Sequence, residues 1–190
     1  ALIVAVINNK IELVKLLLEK GADVNFKDNS NNSALSYAMQ HNFAEAVKML
    51  LNKNAKFNPT DEVVFRYFVK ANQNNNIGMI ELLIDKGVKV NHMNGEGKPP
   101  IFTAIETNRP KIIKLLIDKG ANVNIKSKEN ANFNSTPLIF AISRNDNLEI
   151  VELLLKKGAD VNFKGYYNWS PLMYAIKEKT ITDITYAKLL

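Results

Sequence analysis

One ten-residue phrase returns along this chain, and its spacing narrows the possible folds more than any other feature. Leu16-Leu17-Leu18-Glu19-Lys20-Gly21-Ala22-Asp23-Val24-Asn25 is echoed by segments beginning at Leu50, Leu82, Leu115 and Leu153. The glycine position is filled by Gly21, Asn54, Gly87, Gly120 and Gly158, at intervals of 33, 33, 33 and 38 residues. Such a period marks a supersecondary unit that cannot bury its apolar face alone and must stack on copies of itself.

Within each period the residues predict two helices. A short apolar stretch, Ala34–Met39 or Pro171–Ile176, reads as a first helix. A second follows with apolar residues at helical spacing, as in Ile11, Val14, Leu17 and Leu18. Between them stands Asn9, Asn42, Asn75 or Asn108, four residues after Ala5, Ala38, Ala71 or Ala104. A tight helix–helix turn needs a left-handed residue, and asparagine tolerates that conformation best after glycine. Lysine followed by glycine then stops the second helix. The polar stretch beyond Val-Asn reads as a projecting, hairpin-like loop. Thr136-Pro137 and Ser170-Pro171 each place a hydroxyl at the N-cap and proline at the first helical position. Ser33-Ala34 keeps the cap without proline, and Pro99-Pro100 keeps proline without the cap.

These residues carry a resemblance. The chain is similar to the ankyrin repeat family, whose unit runs Thr-Pro-Leu-His, two alanines, a glycine turn and a Leu-rich run ending in Gly-Ala-Asp-Val-Asn. The matches are Thr136-Pro137-Leu138, Ser170-Pro171-Leu172, the five Leu/Ile runs, and residues 21–25 and 158–162. The resemblance spans the whole chain and implies an all-α fold, an α-solenoid of stacked helix–turn–helix repeats with projecting hairpin-like loops. The expected units are 1–27 and 165–190, both incomplete, with 28–60, 61–93, 94–126 and 127–164 between them. The family's histidine is replaced by Ser36, Phe102, Ile139 and Met173. Its hydrogen bond to the cap is therefore expected to be missing and the caps somewhat weaker.

Two units depart from the pattern. Residues 59–68 have no glycine or asparagine where a loop tip belongs, whereas Thr60 or Asp61 can cap a helix with Val64, Tyr67, Phe68 and Ala71 on one face. A shortened hairpin and a longer first helix are expected there. The unit 127–164 carries four extra loop residues and one more near Arg144-Asn145-Asp146-Asn147. The chain opens at Ala1 and stops at Leu190 inside helical patterns without polar capping helices. Further repeats or an end-to-end contact are therefore expected.

Large side chains near the last loops mark the candidate site. In the family, loop tips and the exposed side of the first helix form a concave groove that grips partners. Carried onto this sequence, those positions are Tyr166, Tyr167 and Trp169 in the last loop, Tyr174, Phe140 and Tyr37 on first helices, and Phe133 in the enlarged loop. Tyr and Trp dominate interface hot spots. The competing reading is that these rings cover neighbouring loops or a following repeat.

Other classes have less support. With no cysteine among 190 residues, disulfides, thiolate metal sites and cysteine nucleophiles are excluded. That composition suits a reducing compartment, so a cytoplasmic location is expected. His41 and His92 lack companions at metal-ligand spacing, so no metal or cofactor is expected. Gly95-Glu96-Gly97-Lys98 lacks the glycine spacing and hydroxyl residue of a phosphate loop. The apolar runs are too short to cross a membrane. A net charge of +6 permits an acidic partner or nucleic acid. However, Lys20, Lys53, Lys86, Lys119 and Lys157 all stand where a cation offsets a helix dipole by about 0.3–1 kcal/mol, so nucleic acid is not expected. No catalytic pair stands outside the repeats, and neither an enzyme nor a small-molecule substrate is expected. Two readings stay open. One is a scaffold that binds another protein through its concave face; the other is a structural or assembly segment without a dedicated partner site.

Overall fold

The computed structural model of the protein describes residues 1–95, 97–128, 135–144 and 148–177. The chain divides into two compact units, Ala1–Val88 and Lys89–Leu190. The first holds α1 (Leu2–Ile7), α2 (Ile11–Glu19), α3 (Ala34–Gln40), α4 (Ala44–Asn52), α5 (Glu62–Gln73) and α6 (Ile77–Asp85). In the second are α7 (Pro100–Glu106), α8 (Pro110–Asp118), α9 (Pro137–Arg144), α10 (Leu148–Lys156) and α11 (Pro171–Lys177). Among the described residues there is no β-strand, only an isolated bridge between Lys27 and Ser33.

Each unit is a two-layer stack. In the first, α1, α3 and α5 pack in one row and α2, α4 and α6 in the other, with each first helix also against its own second helix. The second repeats this plan, with α7, α9 and α11 facing α8 and α10. The helices are short and would be marginal alone, so packing supplies their stability. Their apolar stripes close on one another: Val14, Val47, Leu50, Ile80 and Leu83 are fully buried in the first unit, and Ile112, Ile113, Leu116, Leu138 and Leu154 in the second.

The turns form as the repeated residues require. Asn9, Asn42, Asn75 and Asn108 have φ between 49° and 61°. The residue after each donates its N–H to the carbonyl of the alanine five positions back, as Phe43 does to Ala38 and Arg109 to Ala104. The second helices end by the same device: Gly21, Asn54, Gly87, Gly120 and Gly158 are left-handed, and Ala22, Ala55, Val88, Ala121 and Ala159 bond back to Leu17, Leu50, Leu83, Leu116 and Leu154. This is the Schellman closure, in which a left-handed residue followed by an apolar one satisfies carbonyls that a helix end leaves open.

The long first helix expected in the third repeat is present. Asp61 caps α5 by accepting from the Val63 N–H at 2.8 Å, whereas Thr60 bonds to Asn58 instead. The expectation that replacing histidine removes the cap hydrogen bond fails at Ser36. Its hydroxyl accepts from the Ser33 N–H at 2.9 Å and donates to the Ser33 carbonyl at 2.8 Å, while Ser33 Oγ accepts from the Ser36 N–H at 3.2 Å. A serine three residues after the cap thus closes a reciprocal capping box. Where Ile139 and Met173 occupy that position the cap bonds are longer, 3.5 Å at Thr136 and 3.4 Å at Ser170. Pro99 makes no side-chain cap. The two expected insertions fall largely on residues 129–134 and 145–147, outside the described residues.

Candidate functional site

Polar side chains close the hairpin tips that precede α3 and α7. In the first unit Asp28 is the organiser: its Oδ1 accepts from the Ser30 and Asn32 N–H groups, and its Oδ2 accepts from the Tyr37 hydroxyl at 2.7 Å. The Tyr37 bond, and then the Asn32 N–H, hold the Asp28 carboxyl below the usual carboxylate range. That same carboxylate pushes the Tyr37 phenol up. Tyr37, a candidate contact residue, thus ties α3 to its hairpin. In the second unit Asn94 plays the organising part, accepting from the Lys98 N–H, while Gly97 turns the chain at φ 74°. A Cβ on Gly97 would stand 2.6 Å from Lys128 Cβ, so adjacent loops touch here and only glycine fits.

The last hairpin draws four of the candidate residues into one cluster. Gly165 N–H donates to the Trp169 carbonyl, and Tyr167 and Asn168 between them are both left-handed, at φ 57° and 60°. The rings of Tyr166 and Tyr167 meet edge-on at 4.2 Å, Tyr167 lies 5.8 Å from Trp169, and Trp169 meets Tyr174 edge-on at 5.5 Å. Tyr174 is buried, and its hydroxyl donates to the Tyr166 carbonyl at 2.9 Å, so it supports the hairpin from α11 beneath it. Burial also raises its phenol pKa. Tyr167 is 69% exposed and Tyr166 47%. The cluster therefore presents Tyr166 and Tyr167 outward, holds Trp169 half-buried and seats them all on Tyr174.

Phe140, also half-buried, lies one repeat earlier on α9, 5.2 Å from the buried Phe102 ring. The Arg144 guanidinium covers it at 5.4 Å and pairs with Glu106 at 3.7 Å, which also meets Lys98 at 3.9 Å. Phe133 lies outside the described residues. Tyr37 belongs to the first unit; Phe140, Tyr166, Tyr167, Trp169 and Tyr174 all belong to the second.

The recurring lysines and carboxylates occupy repeated structural positions. Lys20, Lys53, Lys86 and Lys119 are the C-caps of α2, α4, α6 and α8. Lys157 bonds to Asp118 at 2.6 Å and thereby lowers the Asp118 carboxyl pKa. Asp23 and Asp160 accept from the N–H groups of Asn25 and Asn162, closing turns. His41 and His92 are exposed, and among the described residues no cluster of three or more His, Asp or Glu is arranged to hold a metal ion. None of the described helices is long and apolar enough to cross a membrane.

Sequence reasoning missed the asparagine of the Val-Asn pair. Asn124 accepts from the Asp160 N–H at 2.7 Å and donates to the Gly158 carbonyl at 3.0 Å, both in the next repeat. Asn91 clamps Asn122 and Gly120 in the same way, and Asn25 accepts from the Lys56 N–H. Its regular recurrence was the available signal. The missing information was the partner, a backbone about thirty residues away that only stacking brings near.

The family profile described as "Ankyrin repeats (3 copies)" matches residues 1–61, 67–127 and 125–190. No curated protein matches the sequence. Among solved structures, the ankyrin repeat domain of Bcl-3, a member of the IkappaB family, is similar at 26% identity and TM-score 0.75, covering 98% of this chain and 81% of that one. An ankyrin repeat domain from Acinetobacter baumannii AYE is similar at 26% identity and TM-score 0.76, covering 99% and 94%.

Proposed function

Because this chain belongs to the ankyrin repeat family, whose repeats generally mediate protein–protein interactions, we propose that it holds a partner protein on the hairpin-and-first-helix face of its second unit, anchored by Tyr166, Tyr167 and Trp169. This is the face that is concave in the family. The family and fold are typically those of non-enzymatic binding scaffolds.

The observation that carries this reading is Tyr167. Its φ of 57° costs a residue with a Cβ about 1–2 kcal/mol relative to ordinary backbone, and such strain collects at ligand clamps and other functional sites. The tip nevertheless displays a tyrosine ring, 69% exposed. A fold-only role would favour glycine or asparagine here. Rigid, amphipathic rings on a braced turn offer contact area with little ordering cost on binding. The test is affinity capture with the intact chain, Tyr167→Ser, Trp169→Ala and the outer-helix control Lys114→Ala. Proteins retained by the intact chain and the control should be lost from both aromatic variants. Equal retention by all four chains refutes the site.

A further inference from the structure

Among the described residues of the second unit three cations lie over aromatic rings, and all three belong to its hairpins and first helices. Lys126 Nζ stands 4.9 Å from the Phe163 ring centre, the Arg144 guanidinium 5.4 Å from Phe140, and Lys177 Nζ 5.1 Å from Trp169. Lys126, Arg144 and Lys177 are each exposed. A cation resting on a ring sheds water on that side and keeps its outer side open, which strengthens its attraction for an incoming anion.

The surface already shows which anion suits it. Glu106 on α7 sits between Lys98 at 3.9 Å and Arg144 at 3.7 Å. The Arg144 side chain keeps 40% of its surface exposed beside Glu106, so an incoming carboxylate can reach it. The hairpin and first-helix stretches 89–106, 121–144 and 159–177 hold seven Lys or Arg against four Asp or Glu, and the bases still lead when the flanking Asp146 and Glu178 are added. Single-stranded nucleic acid fits less well. Successive bases stack on ring faces presented side by side, whereas these rings meet one another at 63°, 46° and 67°.

We propose that this face takes an extended acidic segment of a partner protein, with carboxylates on Arg144 and Lys177 and an apolar side chain between them resting on Trp169 and Tyr167. The inference rests on the binding face proposed above and adds the chemistry of its partner. Helices α9 and α11 are packed neighbours in one row. Packed helices lie about 8–10 Å apart, and a polyproline II segment advances about 3.1 Å per residue with about three residues per turn, so carboxylates on one face of it should recur at every third residue. Charge complementarity of this kind sets register and speeds encounter, while the rings supply the apolar anchor.

The experiment uses the full chain and a fluorescein-labelled peptide of about nine residues, with glutamate at every third position and one central leucine, read by fluorescence anisotropy. The glutamine version of the peptide and a single-stranded oligonucleotide of equal charge serve as competitors. The glutamate peptide should bind, weaken with added salt, and lose about tenfold or more in affinity to the double variant Arg144→Glu/Lys177→Glu. Trp169→Ala should weaken both peptides, whereas the charge variant should weaken only the acidic one. Circular dichroism establishes that each variant is folded. If the glutamine peptide binds as well as the glutamate one, or the oligonucleotide binds more tightly than either, the acidic-segment inference is overturned. Loss of captured partner in Tyr167→Ser but not in Arg144→Glu/Lys177→Glu would overturn this inference alone and leave the binding face standing.

Discussion

Replacing Asn124 tests whether the asparagine clamp or the apolar stack alone joins neighbouring repeats. Asn124→Ala removes two hydrogen bonds to the following repeat, 2.7 Å from the Asp160 N–H and 3.0 Å to the Gly158 carbonyl. Each such bond contributes about 0.5–1.5 kcal/mol net, and both freed groups lie on exposed residues where water replaces part of the loss. The expected cost is about 1–1.5 kcal/mol, a fall in Tm of about 2–6 °C for a chain this size. Asn124→Asp is the sharper perturbation because it is nearly isosteric. It keeps the acceptor for Asp160 N–H, loses the donor to Gly158, and places a negative charge beside the C-terminal end of α10, where the helix dipole disfavours it by about 0.3–1 kcal/mol. The order of stability should be wild type, then Ala, then Asp. Urea unfolding with unchanged slope, supported by calorimetry, measures it. An Asp variant more stable than the Ala variant would refute the argument, because shape would then matter more than the lost donor and added charge.

Other expectations follow from the same geometry. Leu83→Ala and Leu116→Ala, both at fully buried positions, should each cost about 2–5 kcal/mol in urea unfolding, and hydrogen exchange should show faster opening in the adjoining repeats of the same unit. Asn108→Gly should be neutral or slightly stabilising, whereas Asn108→Ala should cost about 1–2 kcal/mol by the same assay, because the position is held at φ 52°. The Asp28 carboxyl is lowered in the folded state, so its contribution is in force above its ordinary value of 3.8 and is lost as pH falls through the lower folded value. The Tyr37 phenol is raised, so its contribution is in force below 10.0 and is lost as pH rises through the higher folded value. Amide exchange of residues 28–33 against pH should show both limbs, and Tyr37→Phe should flatten the alkaline limb and shift the acid one upward. A wild-type Asp28 that titrates at or above its ordinary value contradicts the hairpin geometry.

Much of the fold was legible because the repeat tells the same local story several times. Asparagine four residues after each buried alanine, and glycine (asparagine at 54) after each helix-ending lysine, announce left-handed closures, and all the named positions adopt them. The lengthened α5 was readable too, since Asp61 and the apolar spacing that follows it leave no room for a loop tip. Ser36 was misread because a position defined by histidine was judged by what it lacked, while a serine hydroxyl at the same distance from the cap can both accept and donate. The candidate rings were found by residue type and position, but their division of labour was not. Nothing in the pattern distinguishes the buried Tyr174 or the Asp28-bound Tyr37 from the exposed Tyr167.

By itself, then, the sequence settled the period, the helix ends and the stripe each helix buries, since these depend on residues within a turn or two of each other. Only the tertiary structure decided which asparagines clamp the next repeat, which rings meet at 166–174 and which cations lie over them. Those outcomes depend on side chains reaching across loops and between stacked repeats, often about thirty residues apart, and such distances are set only once the layers have packed.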